Sequence, residues 1–513
     1  MSACSALRPG RFRGWLIGSP EDSGPWQINM PNRRRAGPGR RPSRGRTLIW
    51  ARSRAAPLLK KLPDQGGEAE LSFDEVGGPD RPDWIDSFLS ANRDALARLA
   101  IDFSVRVKEG RALVVLTSSD RLGAIPIRSP ITRKIMGGLL VEPRFGWSSI
   151  GQVLGEVGFR VEPEIGGLAL VPGSAREVPS WVLAGPLVSR VAALMAQMTR
   201  SFVPTRVERE MPRGTVDWNC YAGRALPTGR WTSFQCSYSE LSSDPELIAA
   251  LRWTLRRVGE DLEPAADFLV ARQLMERIAD LLRALGHGPA RRPGLGGLVA
   301  PALAPEWLRS AVEAMAWVRD ERGLGGARSL DGLPWSLPVN SLWEAWVEAF
   351  LQSLALRLGG RLSTARQGST SRPLVWRTRT RSMGHLAPDF LLELPGRAVW
   401  IDAKYKDHLR RLAVQDWSGL PVTLRESHRA DLHQALAYAM LAEAPRVDTF
   451  LVYPGVAGPA GELAAPPVFA LADLVATGRQ VRLGLGSIPF GFQGPAHREQ
   501  VVAAWERILR DAA

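Results

Sequence analysis

Two aspartates and a lysine lie on a candidate β-hairpin in the last quarter of the sequence. The segment PDFLLELPGRAVWIDAKYK, residues 388–406, has the pattern of two strands joined at a Pro-Gly turn. Asp389 and Asp402 are equidistant from that turn, so symmetric pairing predicts that their Cβ atoms lie about 4.5–5.5 Å apart. The two-residue period of a strand then places Lys404 on the same face.

This arrangement has a definite chemistry. Facing carboxylates repel unless a cation lies between them, and oxygen ligands without Cys or His favour Mg²⁺ or Mn²⁺. A bound divalent ion polarises a phosphodiester, while Lys404 would position the attacking water or stabilise the developing charge. The predicted reaction is phosphodiester hydrolysis. The alternative is a solvated hairpin edge, because an Asp followed by DxK also recurs by chance.

The same residues resemble the signature of the PD-(D/E)XK nuclease superfamily, which is read here as a PD dipeptide ending at Asp389 and the tripeptide DAK at 402–404. That superfamily often has a glutamate on the preceding helix, matched by Glu344 in NSLWEAWVEAF. It also has a QxxxY pattern on the following helix, matched by Gln434 and Tyr438. The roles that the resemblance implies are metal binding by Asp389, Asp402 and Glu344, assistance to the nucleophile by Lys404, and orientation of Lys404 or of the phosphate by Gln434.

The helical part of this site stays open to other interpretations. Glu348 lies one turn after Glu344 and is an alternative ligand, and an exposed helix-face glutamate is a further possibility. Gln434 and Tyr438 are also compatible with a helix surface or with core packing. Four histidines nearby are interpreted as scattered loop or helix-surface residues: His385, His408, His428 and His433.

A narrower resemblance is to the McrC family, the nuclease subunits of modification-dependent (5-methylcytosine) restriction systems. The resemblance rests on the motif DAKYK and on the downstream segment DLHQALAYA. Two upstream segments agree with it: GGLLVEPRFGWSSIGQVLGEVGF resembles the segment that holds the family's PKF-like motif, and PRGTVDW resembles its RGRID-like motif. In such systems a separate AAA+ GTPase or ATPase, McrB, is the motor. The resemblance implies a partner of that kind, and it implies that residues 71–200 dock into it.

Three departures from the family pattern bear on the partner interface and on DNA specificity more than on the chemistry. Arg144 stands where the PKF-like phrase has lysine. The usual helix asparagine is absent around residues 243–250, and the first 70 residues have no counterpart.

The hairpin needs a framework, and apolar periodicity predicts an α/β multidomain protein. Helices in WLRSAVEAMAWVRDE and NSLWEAWVEAFLQSLALRL precede strands in GRLSTAR and PLVWRTRT, then the hairpin, a helix in RADLHQALAYAMLAE and a strand in DTFLVYPG. The C-terminal unit is therefore expected to be a restriction-endonuclease-like mixed sheet flanked by helices. The predicted segments are a basic, Pro/Gly-rich, disordered stretch at 1–70, an α+β partner-binding domain at 71–200, a helical connector at 201–300 and a PD-(D/E)XK nuclease domain at 301–513.

Positive charge is concentrated at the N-terminus. The formal net charge is +14, and residues 1–62 hold twelve Arg and two Lys against Glu21 and Asp22. This stretch is interpreted either as a phosphate-binding arm or as a solvated tail, including an upstream extension from a misplaced start codon. Lysine is rare in the whole chain, yet two of its six lysines stand in IDAKYK. An ammonium group differs chemically from a guanidinium there.

Several classes of protein are excluded or disfavoured by composition. No apolar run of about 18 residues is long enough to span a bilayer, and the start lacks the apolar core of a secretory signal. The three cysteines are too few and scattered for a disulfide framework, and no CxxC or HExxH spacing occurs. We therefore expect a soluble, cytoplasmic protein with no membrane association. No GxxxxGK[ST] phrase occurs either, so nucleotide hydrolysis by that route would need a separate chain.

Together these features predict a Mg²⁺-dependent DNA endonuclease that is the cleaving subunit of a McrBC-like defence system against foreign or modified DNA. Two rival hypotheses stay open. One is a standalone nuclease of repair or of a mobile element, and the other is a non-catalytic DNA-binding adaptor with a nuclease fold.

Overall fold

The computed structural model describes residues 58–76, 83–166, 169–175, 177–198, 201–242, 245–294, 304–324, 331–377, 382–415, 417–455, 467, 469–476 and 479–510. Most of the predicted basic segment, residues 1–57, lies outside the described residues. Its last part does not stay irregular: a strand begins at Leu58 and pairs with the sheet, and Leu62 within it is fully buried.

The first part of the chain forms two sheets and a layer of helices. Its elements are β1 (Leu58–Pro63), β2 (Glu68–Leu71), α1 (Phe73–Val76), α2 (Trp84–Arg98), β3 (Asp102–Lys108), β4 (Arg111–Thr117), β5 (Arg121–Arg128), β6 (Ile135–Glu142), α3 (Gly146–Glu156), β7 (Glu164–Ile165) and α4 (Ser180–Gln197). Strand β1 runs parallel to β6, which is antiparallel to β5, and a second antiparallel sheet has the order β2-β4-β3. The predicted α+β character of this part is confirmed.

The middle part contains a small antiparallel sheet followed by two long helices. Its elements are β8 (Ser201–Arg209), β9 (Thr215–Val216), α5 (Trp218–Cys220), β10 (Phe234–Ser242), α6 (Pro245–Leu262) and α7 (Leu269–Leu285), with short helical turns at Tyr221–Ala225, Leu226–Thr228 and Glu263–Ala265. The predicted helices are present, and they follow a sheet of order β8-β10-β9, of which the sequence indicated a strand only in RGTVDWNCYA, where β9 lies. Strands whose described side chains are largely exposed carry little apolar alternation that a sequence pattern could reveal.

The last part is a mixed six-stranded sheet flanked by helices. Its elements are α8 (Glu306–Arg319), β11 (Trp335–Pro338), α9 (Val339–Leu358), β12 (Arg361–Thr364), β13 (Arg372–Pro373), β14 (His385–Leu386), β15 (Phe390–Leu394), β16 (Arg397–Ala403), α10 (His408–Val414), α11 (Val422–Ala439), β17 (Arg446–Gly455), β18 (Phe469–Ala476), β19 (Arg479–Pro489) and α12 (Pro495–Arg510), with helical turns at Ala365–Gln367 and Trp417–Gly419. The sheet order is β12-β15-β16-β17-β19-β18.

Strand β16 at the centre of this sheet is covered on both faces. Val399 and Ile401 join the core formed with α9 and α12, whereas Ala398 and Trp400 pack with Tyr438 of α11. The alternation follows from the two-residue period of a strand. It places Asp402, the next even-numbered position, on the α11 side of the sheet.

The predicted boundary at residue 300 does not coincide with a break in the core. Strand β11 lies beyond it, yet pairs antiparallel with both β5 and β7 and completes a five-stranded sheet of order β1-β6-β5-β11-β7. Its Trp335 ring contacts Trp147 of α3. Aromatic residues also pack between the N-terminal and C-terminal parts of the chain, where Phe145 stacks on Phe490. The N-terminal sheet and the C-terminal sheet therefore share one buried cluster.

One predicted strand is wrong. The phrase PLVWRTRT, residues 373–380, forms only the end of β13, and residues 374–377 have no strand structure. Val375 is 89% exposed and Trp376 is 51% exposed, so the apolar alternation there does not face a core. Residues 378–380 lie outside the described residues. Among the helices that the structure describes, none has the length and apolar run needed to cross a membrane.

Candidate active site

The hairpin that carries the two aspartates has the predicted register. Strands β15 and β16 pair antiparallel from Phe390 opposite Ile401 to Leu394 opposite Arg397, with the turn at Pro395-Gly396. Gly396 has a φ of +70°, a left-handed conformation that glycine adopts without strain. The same register continued by one residue puts Asp389 opposite Asp402. The sequence symmetry therefore predicted the pairing correctly.

Asp389, Asp402 and Lys404 converge at the end of β16. Asp389 Oδ2 accepts a hydrogen bond of 2.8 Å from the backbone N–H of Ala403, which fixes its carboxylate at the strand end. Lys404 Nζ lies 2.6 Å from Asp402 Oδ2, and Asp402 is only 3% exposed. The structure thus brings together the three residues on which the sequence hypothesis depends.

Gln434 of α11 holds the lysine from the other side. Lys404 Nζ donates to Gln434 Oε1 at 2.9 Å, and Gln434 Nε2 in turn donates to the Tyr438 hydroxyl at 2.6 Å. Because Gln434 and Tyr438 are one helical turn apart, they form a short relay along one face of α11. The QxxxY pattern therefore contacts Lys404 through hydrogen bonds, and the role of Gln434 in orienting it for a reaction stays a prediction.

The charges in this cluster shift one another's titration. Burial, the Asp402 charge and the Glu344 charge raise the pKa of Asp389 to about 8, against a smaller opposing effect of the Ala403 hydrogen bond. Burial would lower the pKa of Lys404, but the Asp402, Asp431 and Asp389 carboxylates together raise it above its ordinary value. Lys404 is therefore a cation at neutral pH.

The structure distinguishes the two candidate glutamates of α9. Glu344 and Glu348 both line a cavity of about 280 Å³ together with Asp389, but only Glu344 is exposed to solvent, and partial burial followed by the Asp402 charge raises its pKa. Glu348 is 4% exposed and pairs with Arg160 Nη1 at 3.0 Å and Arg366 Nη2 at 2.8 Å. Glu344 is thus the glutamate that faces the aspartates.

This difference predicts opposite effects on stability. Glu348→Gln should lower the free energy of unfolding by about 2 kcal/mol, because it removes the charged acceptor of two arginines. Glu344→Gln should leave stability unchanged or raise it, since it removes a carboxylate that other carboxylates repel. Urea unfolding at pH 7 without metal measures both variants. Equal losses in the two variants would contradict the assignment.

Two of the four histidines contradict our interpretation. His385 and His433 are exposed as expected, but His408 and His428 are buried beside Asp431, and the three possible ligand atoms lie within 4.8 Å of one another. The interpretation of these two as scattered surface residues is wrong, because α10 and α11 fold over β17 and bring them together. The position of His428 on a largely polar helix gave no sign of burial.

Lys406 is a further, partly buried member of this region that the sequence interpretation did not include. Its Nζ lies 2.8 Å from both oxygens of Asp431 and 3.1 Å from Ser427 Oγ. The two lysines of IDAKYK therefore have separate carboxylate partners, Asp402 and Asp431.

The carboxylate cluster is better explained as a site for a divalent cation than as a group of carboxylates with no bound ion. Asp402 Oδ2 is buried and, among the described residues, accepts no hydrogen bond of good geometry, although Lys404 Nζ lies close to it. The Asp402 charge raises the pKa of both Asp389 and Glu344, and the three carboxylates have one lysine among them. Oxygen donors of this kind are the ligands that Mg²⁺ and Mn²⁺ prefer.

Comparison with known proteins places this site within a known family segment. Residues 334–454 match the family model described as "McrBC 5-methylcytosine restriction system component". This stretch of the chain is McrC-like. The McrBC-family segment contains all five predicted site residues, from Glu344 to Gln434, and runs from β11 to β17. The resemblance to McrC is therefore confirmed.

Solved structures and curated proteins give a more distant picture. The chain is similar to a McrB–McrC half-complex of Thermococcus gammatolerans, at 13% identity and a TM-score of 0.39, over 88% of this chain and 100% of that chain. A McrBC complex of the same organism is 14% identical, with a TM-score of 0.24, over 58% of this chain and 88% of that chain. No curated protein matches the chain.

Proposed function

We propose that the chain is a metal-dependent DNA endonuclease of the PD-(D/E)XK type and the cleaving subunit of a McrBC-like restriction system. One observation carries the proposal: Asp389, Asp402 and Lys404 converge at the end of a central strand, where Gln434 orients the lysine. This convergence comes from a hairpin register, so it does not depend on the order of the motif alone.

Asp389, Asp402 and Glu344 would hold Mg²⁺ or Mn²⁺. When bound, such an ion polarises the phosphodiester and lowers the pKa of the attacking water. Lys404 is charged at neutral pH, so it acts as a cation that positions the nucleophile or stabilises the charge that develops on the phosphate. Gln434 keeps its ammonium group in place. A lysine already protonated would not serve as the general base.

The family match supports the biological setting. The McrBC-family segment favours DNA as the substrate, and 5-methylcytosine-containing DNA as the first candidate. The sequence has no P-loop, so we infer that nucleotide hydrolysis is supplied by a separate AAA+ partner. In the Thermococcus assembly McrC is bound to McrB AAA+ hexamers, and a partner of that kind is what we propose here. A restriction enzyme of this type would act in the cytoplasm.

A cleavage assay tests this proposal against its rivals. Supercoiled methylated and unmethylated DNA are incubated with the purified chain, with and without Mg²⁺, and with and without a McrB-like AAA+ NTPase. Cutting that needs Mg²⁺, NTPase and methylation supports the restriction subunit. Cutting without the NTPase favours a standalone nuclease, and DNA binding without cutting under every condition favours the adaptor.

A further inference from the structure

Side chains alternate in direction after Asp402, and this alternation connects the active site with a distant part of the chain. Lys404 points towards Asp402 and Gln434, whereas Tyr405 points to the opposite side and is 5% exposed. The Tyr405 hydroxyl donates a hydrogen bond of 2.5 Å to Oδ2 of Asp64, a residue 341 positions earlier. Asp64 directly follows β1 and is 2% exposed.

Arg144 completes this contact from the loop between β6 and α3. Its backbone N–H donates to Asp64 Oδ1 at 2.6 Å, and its Nε lies 3.7 Å from Asp64 Oδ2. The guanidinium lies 4.7 Å from the centre of the Tyr405 ring and extends to within 3.9 Å of Asp407. Arg144 therefore contacts two residues beside the lysines: Tyr405, which lies between Lys404 and Lys406, and Asp407, which follows Lys406.

Aromatic packing fixes the orientation of the Tyr405 ring. Phe145 meets it edge to face at 6.3 Å, and Phe490 does so at 5.9 Å. The backbone beside it is also tied, because the N–H of Lys404 donates to the carbonyl of Val452 in β17. With the ring and the adjacent peptide both held, Lys404 has little freedom to leave Asp402.

The buried polar groups of Asp64, Arg144 and Tyr405 are costly for a contact between two parts of the core. Burying a carboxylate, a guanidinium and a phenol is costly unless each finds a partner, and an apolar seam would pack at lower cost. Both oxygens of Asp64 accept a hydrogen bond here, from Tyr405 and from the backbone of Arg144, whereas Arg144 Nε and Nη2 make none among the described residues. The satisfied Asp64–Tyr405 pair favours one arrangement of the groups that it joins. The arrangement it specifies here is that of the segment carrying Lys404.

We propose that Asp64, Arg144 and Tyr405 form a positioning clamp, by which the N-terminal sheet holds Lys404 against Asp402 for phosphodiester cleavage. The inference rests on the proposed nuclease function. It makes residues outside the McrBC-family segment, Asp64 and Arg144, part of what the active site requires. None of the three is a catalytic residue; each acts through the position of Lys404.

The test removes one oxygen atom. Tyr405→Phe keeps the ring between Phe145 and Phe490 and loses only the hydroxyl, so the full-length protein is expected to fold. It is compared with Asp64→Ala, with the double variant, and with Ser118→Ala. Ser118 is the matched control, because it bonds to Pro63 and Gly67 in the same β1–β2 turn without contacting Tyr405.

Three quantities are measured: the single-turnover cleavage rate, the affinity for DNA, and the rate at which an amine-reactive acylating probe modifies Lys404, followed by mass spectrometry. We expect Tyr405→Phe to lower the cleavage rate by about tenfold or more, since small misplacements of a reacting group are costly. DNA affinity should stay unchanged and Lys404 should acylate faster. The double variant should cut no more slowly than Asp64→Ala alone, because both changes break one contact.

The outcomes separate the clamp from the proposed function. If wild type cuts, Asp402→Ala does not, and Tyr405→Phe matches wild type in both cleavage and acylation, the clamp is refuted and the nuclease stands. If Ser118→Ala slows cleavage as much as Tyr405→Phe, the effect is one of stability and the clamp is again refuted. If Asp402→Ala cuts like wild type, the proposed function fails. Acylation of Lys404 then still decides whether Tyr405 positions it.

Discussion

Asp402→Ala should reduce the single-turnover rate of DNA cleavage by about 1,000-fold or more, and Lys404→Ala should have a comparable effect. Removing one preorganised electrostatic group from an active site typically costs about 100-fold to 1,000-fold. Asp402 serves two purposes here, because its buried carboxylate both faces Asp389 and lies 2.6 Å from Lys404 Nζ. Loss of either residue therefore also misplaces the other, and the double variant should be little worse than the single ones.

Glu393 supplies the matched control for this prediction. It lies on β15 of the same hairpin, is exposed, and pairs only loosely with Arg361 at 4.0 Å. Glu393→Ala should cut at the wild-type rate. Lys404→Arg tests geometry separately from charge: it keeps the charge but replaces a point-charge ammonium with a planar guanidinium, so it should also cut more slowly than wild type. If the Asp402→Ala variant cuts DNA at the wild-type rate, the active-site assignment is wrong.

The parts of this site that could be predicted from sequence are those fixed by local periodicity. The register of Asp389 against Asp402 follows from their symmetry about the turn, and Gln434 follows from a one-turn spacing on a helix. Such relations depend only on a few neighbouring residues. They therefore hold regardless of how the rest of the chain packs.

Contacts between distant segments could not be predicted in the same way. Nothing near Asp64 indicates that Tyr405 will bond to it, and nothing near Trp335 indicates that β11 will complete the N-terminal sheet. The burial of His408 and His428 is of the same kind, since it depends on how α10 and α11 cover β17. Tertiary packing decides these cases, and one sequence carries no pattern for it.

The free energy of unfolding of the metal-free protein should depend on pH because of the raised pKa of Asp389. Its pKa in the folded protein is about 8, against an ordinary value of 3.8. Between these values the folded state holds a proton that the unfolded state has released, so the free energy of unfolding falls as pH rises through this window. Asp389→Asn removes that dependence. At pH 8 the variant should be more stable than wild type by on the order of 3 kcal/mol, and near pH 4 the difference should vanish.

Divalent metal should reverse this destabilisation. A cation held by Asp389 and Asp402 favours the ionised carboxylates, so Mg²⁺ should stabilise wild type more at pH 8 than at pH 6. Asp389→Asn should respond much less, because it has lost one of the three carboxylates proposed to hold the ion. Urea unfolding in chelator and in millimolar Mg²⁺, at both pH values, measures the four differences without any need for cleavage. If Mg²⁺ stabilises the two proteins equally at both pH values, the aspartates do not form the metal site, and the electrostatic argument for metal-dependent hydrolysis at this hairpin fails with them.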